Sequence, residues 1–72
     1  MKEKLPVVSG YETIKALTRT GFVIKRRSGS HVILQKDFIV LSVPLHKTLK
    51  RGTLHAILKQ AGLSIDNFKS LL

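Results

Sequence analysis

The stretch FVIKRRSGSHVILQKDFIVLSVP, residues 22–44, contains three short segments rich in β-branched and aromatic residues, separated by two turn sequences. Such segments are typical of strands, and they cover residues 22–27, 31–35 and 38–43. SGS at residues 28–30 suits the first turn, and Lys36-Asp37 is short enough to form the second. Pro44 has no N–H to donate to a sheet and therefore ends the third strand. This stretch predicts an antiparallel meander.

A helix is predicted before the meander. Ser9 and Glu12 form a capping-box pattern, in which the side chain of each residue bonds the backbone N–H of the other. Apolar residues follow at helical spacing as far as Gly21, and glycine is a common residue at the end of a helix. We therefore expect a first helix over residues 10–20.

A second helix is predicted after a basic loop at residues 45–52. Thr53 is its expected N-cap, Gly62 its expected end, and Ser64 is expected to cap a last helical turn. The expected core of both segments consists of apolar residues at helical spacing: Leu54, Ile57, Leu58 and Phe68. The order α-β-β-β-α predicts an α+β fold, in which helices cover one face of a three-stranded antiparallel sheet.

The chain is short and strongly basic. Its 72 residues fit a single domain, residues 1–72, and an apolar fraction of 43% is enough for it to fold. Thirteen Lys and Arg against four Asp and Glu give a net charge of +9, which favours nucleic acid or an acidic protein as partner. Long apolar runs, a secretory signal and cysteines are absent from the sequence, so we expect a cytoplasmic protein without a membrane partner.

Three histidines and four carboxylates are the residues available for acid–base chemistry near neutral pH. The carboxylates lie in unrelated segments, which disfavours a carboxylate pair or a two-metal nuclease. The histidines lack the spacing of metal ligands, so we expect neither a metal nor a cofactor. One or two imidazoles amid positive charge fit RNA cleavage, in which the ribose 2′-hydroxyl is the nucleophile and an imidazole moves protons.

His31 is the candidate for that role, because its surroundings suit a phosphate. Gly29 lets a phosphate approach the backbone, and Ser30 adds a hydroxyl. The cations expected to bind RNA phosphates lie on the preceding strand and in the loop after the third strand: Lys25, Arg26, Arg27 and Lys47. His46 could supply a second imidazole. The ordinary alternative for His31 is a half-exposed histidine at the start of a strand. For the arginines it is a solvated basic face, and for His46 and Lys47 it is an exposed loop.

Several motifs occur in one order along the chain: SGYE at 9–12, GF at 21–22, GSH at 29–31, VPLH at 43–46 and GTLHAILKQAGLS at 52–64. This set resembles the HicA family, small mRNA-cleaving toxins of bacterial and archaeal toxin–antitoxin systems. The resemblance implies a fold like a double-stranded RNA-binding domain. It further implies ribosome-independent cleavage of mRNA, with His31 as the catalytic residue, and inhibition by a HicB antitoxin.

The leading hypothesis is therefore a metal-independent endoribonuclease toxin that cleaves mRNA with His31 as general acid or base. We expect a monomer that forms oligomers only with a HicB-like antitoxin, which would cover the sheet edge carrying His31. The alternative is a non-catalytic RNA-binding module of the double-stranded RNA-binding-domain type, since such domains read shape and phosphates. A DNA-binding regulator is disfavoured because three strands separate the helices and no helix-turn-helix is visible.

Overall fold

The computed structural model describes residues 4–72 of the chain, so residues 1–3 of the predicted domain lie outside the described part. Its elements are α1 (Gly10–Thr18), β1 (Val23–Ser28), β2 (His31–Lys36), β3 (Ile39–Pro44), α2 (Arg51–Ala61) and α3 (Ile65–Ser70). The strands form one antiparallel sheet in the order β1-β2-β3. The predicted α+β class and meander are confirmed, and α3 occupies the place of the predicted last helical turn.

Helix α1 begins with the predicted capping box. The Ser9 hydroxyl accepts from the Glu12 N–H at 3.0 Å, and the Glu12 carboxylate accepts from the Ser9 N–H at 2.9 Å. The helix ends at Thr18, two residues before the predicted end. The chain turns there because the N–H groups of Thr20 and Phe22 both donate to the Leu17 carbonyl, at 3.0 and 3.3 Å, which brings Phe22 into the core.

The register of the sheet corrects the position of the second turn. Lys36 pairs with Ile39, so the turn residues are Asp37 and Phe38, and the prediction of Lys36-Asp37 was wrong by one residue. Lys36 is retained in β2, where its ammonium group lies 6.0 Å from the centre of the Phe22 ring, a cation–π distance. Phe38 consequently lies in the turn and not in a strand.

The helices cover β2 and β3 but not β1. Alternate residues of the two covered strands are buried in one core with apolar residues of α1 and α2: Val32, Leu34, Leu41 and Val43. Every residue of β1 is exposed, including Ile24, whose partner Leu34 lies on the buried face. The predicted helix layer on one face therefore holds for two of the three strands. The opposite face of the sheet, called here the open face, has no helix on it.

Helix α2 begins at Arg51, so the prediction of Thr53 as its N-cap was wrong. Leu49 is buried, and its N–H donates to the Val8 carbonyl at 2.8 Å. Because this bond fixes the chain just before the helix, Lys50 becomes the N-cap, without a side-chain hydrogen bond, and Thr53 lies in the first turn. The predicted end at Gly62 is confirmed by its left-handed backbone, with φ of +74°.

A single cluster of buried apolar side chains stabilises the described residues. It contains all four predicted core residues, which are Leu54, Ile57, Leu58 and Phe68. The predicted cap of α3 is confirmed as well, since the Ser64 hydroxyl accepts from the Asn67 N–H at 3.0 Å. None of the helices within residues 4–72 has the length and apolar character needed to cross a membrane.

Candidate nucleic-acid interface

His31 is the first residue of the central strand β2. It pairs with Ser28 of β1 and Pro44 of β3, so it lies at one end of the central strand, and the prediction that it lies on a sheet edge was wrong. Its neighbour Val32 is buried against the helices. Since successive side chains of a strand point to opposite faces, the His31 side chain lies on the open face, where it is exposed to solvent.

The loop after β3 is held beside His31 by backbone hydrogen bonds. The N–H of Leu45 donates to the carbonyl of Ser30, the residue before His31, at 2.6 Å. The N–H of Gly10 donates to the His46 carbonyl at 2.9 Å, which ties the same loop to the start of α1. His46 and Lys47 follow in this loop and are exposed. The structure therefore brings the predicted second imidazole and the loop cation to the same end of the sheet as His31.

The cations of β1 do not all share a face. Arg26 pairs with Ile33 and therefore lies on the open face. On that face, the Arg26–Ile33 pair is the neighbour of the Ser28–His31 pair. Arg27 pairs with Val32, on the face that the helices cover, and its Nε donates to the Gly29 carbonyl at 3.3 Å. Lys25, also exposed, lies at an irregularity in the β1–β2 ladder, between Ile24 and Arg26. Arg26 is thus the β1 arginine on the same face as His31.

The turn before His31 leaves open space at the backbone. Gly29 has φ of +60°, and a Cβ placed there would have nothing within 4 Å, so a phosphate can approach this turn closely. Ser30 is exposed in the same turn. Ser28 pairs with His31 across the ladder and therefore belongs to β1, so its predicted place in the turn was wrong. Two-residue turns that begin with glycine are common in β-hairpins, and a turn of Gly29 and Ser30 would have predicted that Ser28 pairs with His31.

The site is an open surface with cations on both sides of an imidazole. Arg26 lies on the β1 side, and Lys47 lies in the loop that follows β3. Surface clefts occur elsewhere, one between α1 and the C-terminal residues and another between α2 and α3. Within residues 4–72, no three His, Cys, Asp or Glu residues are grouped so that they could hold a metal ion. Such a surface suits an extended polyanion better than a small enclosed ligand.

These features define a small basic α+β protein that exposes an imidazole between cationic segments at one end of an antiparallel sheet. The chain belongs to the HicA family, since the family model described as the HicA toxin of bacterial toxin–antitoxin matches residues 10–63. The expectation from the sequence motifs is thereby confirmed at the level of the family. The protein is the toxin of a toxin–antitoxin system, and its partner is an antitoxin. No curated protein matches the chain.

Proposed function

We propose that this toxin is an endoribonuclease that cleaves mRNA in the cytoplasm without a metal ion, with His31 as its proton-transfer residue. The observation that carries the proposal is the solvent-exposed imidazole of His31 on the open face, with Arg26 on one side and the Lys47 loop on the other. RNA already contains its nucleophile, so the protein needs only to move protons and to stabilise charge on the phosphate.

The reaction is a transfer of the phosphodiester to the neighbouring ribose hydroxyl. His31 takes the proton of the 2′-hydroxyl, the 2′-oxygen bonds to phosphorus, and the bond from phosphorus to the 5′-oxygen breaks. A protonated group, with His46 as the candidate, gives a proton to the departing 5′-oxygen. Arg26 and Lys47 stabilise the phosphate oxygens by charge-assisted hydrogen bonds. The products are a 2′,3′-cyclic phosphate and a 5′-hydroxyl.

Purified protein is expected to cut an RNA oligonucleotide in excess EDTA and to leave a 2′,3′-cyclic phosphate and a 5′-hydroxyl, because the proposed chemistry uses side chains alone. Mass spectrometry of the fragments identifies the ends. The matched control is the same oligonucleotide with 2′-deoxyribose at the cleaved nucleotide, which is expected to remain intact. A strict Mg²⁺ requirement with 5′-phosphate ends would contradict the mechanism, and binding without cleavage would favour the non-catalytic module.

Replacement of Arg26 by glutamine is expected to reduce the salt dependence of RNA binding. Each neutralised phosphate contributes roughly 0.7 to 0.9 to the slope of log affinity against log salt concentration, so the loss of one contact is measurable. Arg27→Gln is the matched control, because Arg27 lies on the other face of β1 and its Nε bonds the Gly29 carbonyl. Fluorescence anisotropy at several salt concentrations gives both slopes. Equal reductions for the two variants would show that RNA contacts both faces of β1.

A further inference from the structure

A second feature of the sheet is a group of apolar residues that extends along the open face from Ile33, two residues from His31, to the β2–β3 turn at the far end. Phe38 is 100% exposed in the β2–β3 turn, and Val23 and Val40 are 55% and 56% exposed. Val23 and Val40 flank Gln35 in one row across the sheet, and Ile33 lies two residues along β2 from Gln35. The hairpin patch is defined as these four apolar residues: Val23, Ile33, Phe38 and Val40. Lys36, at the far end of β2, is five positions along the strand from His31, which corresponds to about 16 Å.

The hairpin patch is not explained by the fold or by the proposed chemistry. A fully exposed Phe38 adds nothing to the core, and a polar turn residue would serve the hairpin equally well. The amide of Gln35, in the middle of the patch, already donates to the Asp37 carbonyl at 2.9 Å. Covering the patch would therefore not leave this N–H without a partner. Clustered apolar side chains on an open surface are typical of protein interaction sites.

We propose that the hairpin patch is an anchoring surface for the antitoxin, which contacts it through an apolar centre with acidic residues around it. Within three residues of a patch residue along the chain, the charged residues are Lys25, Arg26, Lys36 and Asp37, three cations and one carboxylate. Arg26 shares the open face with the patch, whereas Lys36 lies on the opposite face of β2. A second copy of this chain would bring another net charge of +9 to the same surface and be repelled, whereas an acidic protein would be attracted.

The location of the patch allows the antitoxin to inhibit the toxin without depending only on contacts at His31. Val23, Ile33 and Val40 share the open face with His31, and Phe38 lies in the turn beyond them, so one protein domain can be anchored at the hairpin and extend over His31. The anchoring contact is independent of the chemistry, while the inhibition of RNA cleavage rests on the proposed function. Toxin variants with a changed patch are therefore expected to remain toxic and to escape their antitoxin.

Phe38→Ser tests the proposal, with Val40→Thr as a second variant of nearly the same shape as the original residue. Both side chains are exposed, so the thermal unfolding of the free variants should match that of the wild type. The partner used is the purified cognate antitoxin of this toxin, and calorimetry measures its dissociation constant. Phe38→Ser is expected to raise this constant roughly 10- to 100-fold, because an aromatic anchor is lost, and Val40→Thr by a few-fold. The rate at which the free variants cleave RNA is expected to be unchanged.

Leu72→Ser is the matched control, since Leu72 is also about half exposed, at 49%, but lies beyond α3 at the end of the chain. It is expected to leave the antitoxin affinity unchanged.

A dissociation constant within two-fold of the wild type for Phe38→Ser would overturn the proposal. A matching loss of RNA affinity would assign the patch to RNA, and self-association that Phe38→Ser disperses would assign it to a second copy. If the wild type cuts no RNA but Phe38→Ser still loses the antitoxin, the proposed function fails and this proposal stands.

Discussion

Replacement of His31 by alanine is expected to lower the rate of RNA cleavage by roughly 10²- to 10⁴-fold, the usual contribution of a proton-transfer residue. Growth arrest on induction of the toxin should disappear when cleavage is lost. The side chain is exposed on the open face, so its removal should change the free energy of unfolding by less than about 0.5 kcal/mol. Initial rates on an RNA oligonucleotide, thermal unfolding and growth curves of induced cultures give the three readouts.

His55→Ala is the matched control for this prediction. His55 is an exposed histidine on α2, outside the strands and loop that form the site, so its loss should leave cleavage and toxicity as in the wild type. His31→Ala should also keep its RNA affinity within a few-fold, because the cations around it remain. If His31→Ala were as toxic as the wild type, growth arrest would arise from RNA binding, and the protein would be a non-catalytic module.

The features that were predictable from the sequence are those that short segments determine. The capping box of Ser9 and Glu12 needs only residues three apart, and it is present with both bonds. The α2 start was mispredicted because a contact distant in sequence decides it. The N–H of Leu49 bonds the Val8 carbonyl, and the helix follows at once, so the capping preference of Thr53 has no effect.

The composition of the site was more predictable than its geometry. GSH indicated a histidine after a glycine turn, and His31 does begin β2. The irregularity at Lys25 could not be read from the sequence. Strict alternation from Ile24 onward would put Arg27 on the open face and Arg26 on the opposite face, but the extra residue reverses both. The exposure of Phe38 likewise depends on the register of the hairpin, because a turn one residue earlier would include it in β3.

Gly10→Ala is expected to lower the free energy of unfolding by roughly 2 to 4 kcal/mol, a large part of the stability of so small a domain. Gly10 is buried at the start of α1, and a Cβ there would overlap the carbonyl oxygen of Pro44 and lie 2.9 Å from its carbonyl carbon. These atoms are backbone and cannot rotate away, so α1 or the loop after β3 must move. Chemical denaturation measured by circular dichroism gives the change.

Gly52→Ala is the matched control, because it adds the same methyl group to a helical glycine with no heavy atom within 4 Å of the new Cβ. It should leave stability unchanged or raise it by up to about 1 kcal/mol, since alanine favours the helix. Equal stabilities for the two variants would mean that the space between Gly10 and Pro44 can accommodate a Cβ. The shift in Gly10→Ala should also reach the site, because the Gly10 N–H holds the His46 carbonyl, and Pro44 pairs with His31. Cleavage by Gly10→Ala should therefore be slower even at temperatures where the variant remains folded.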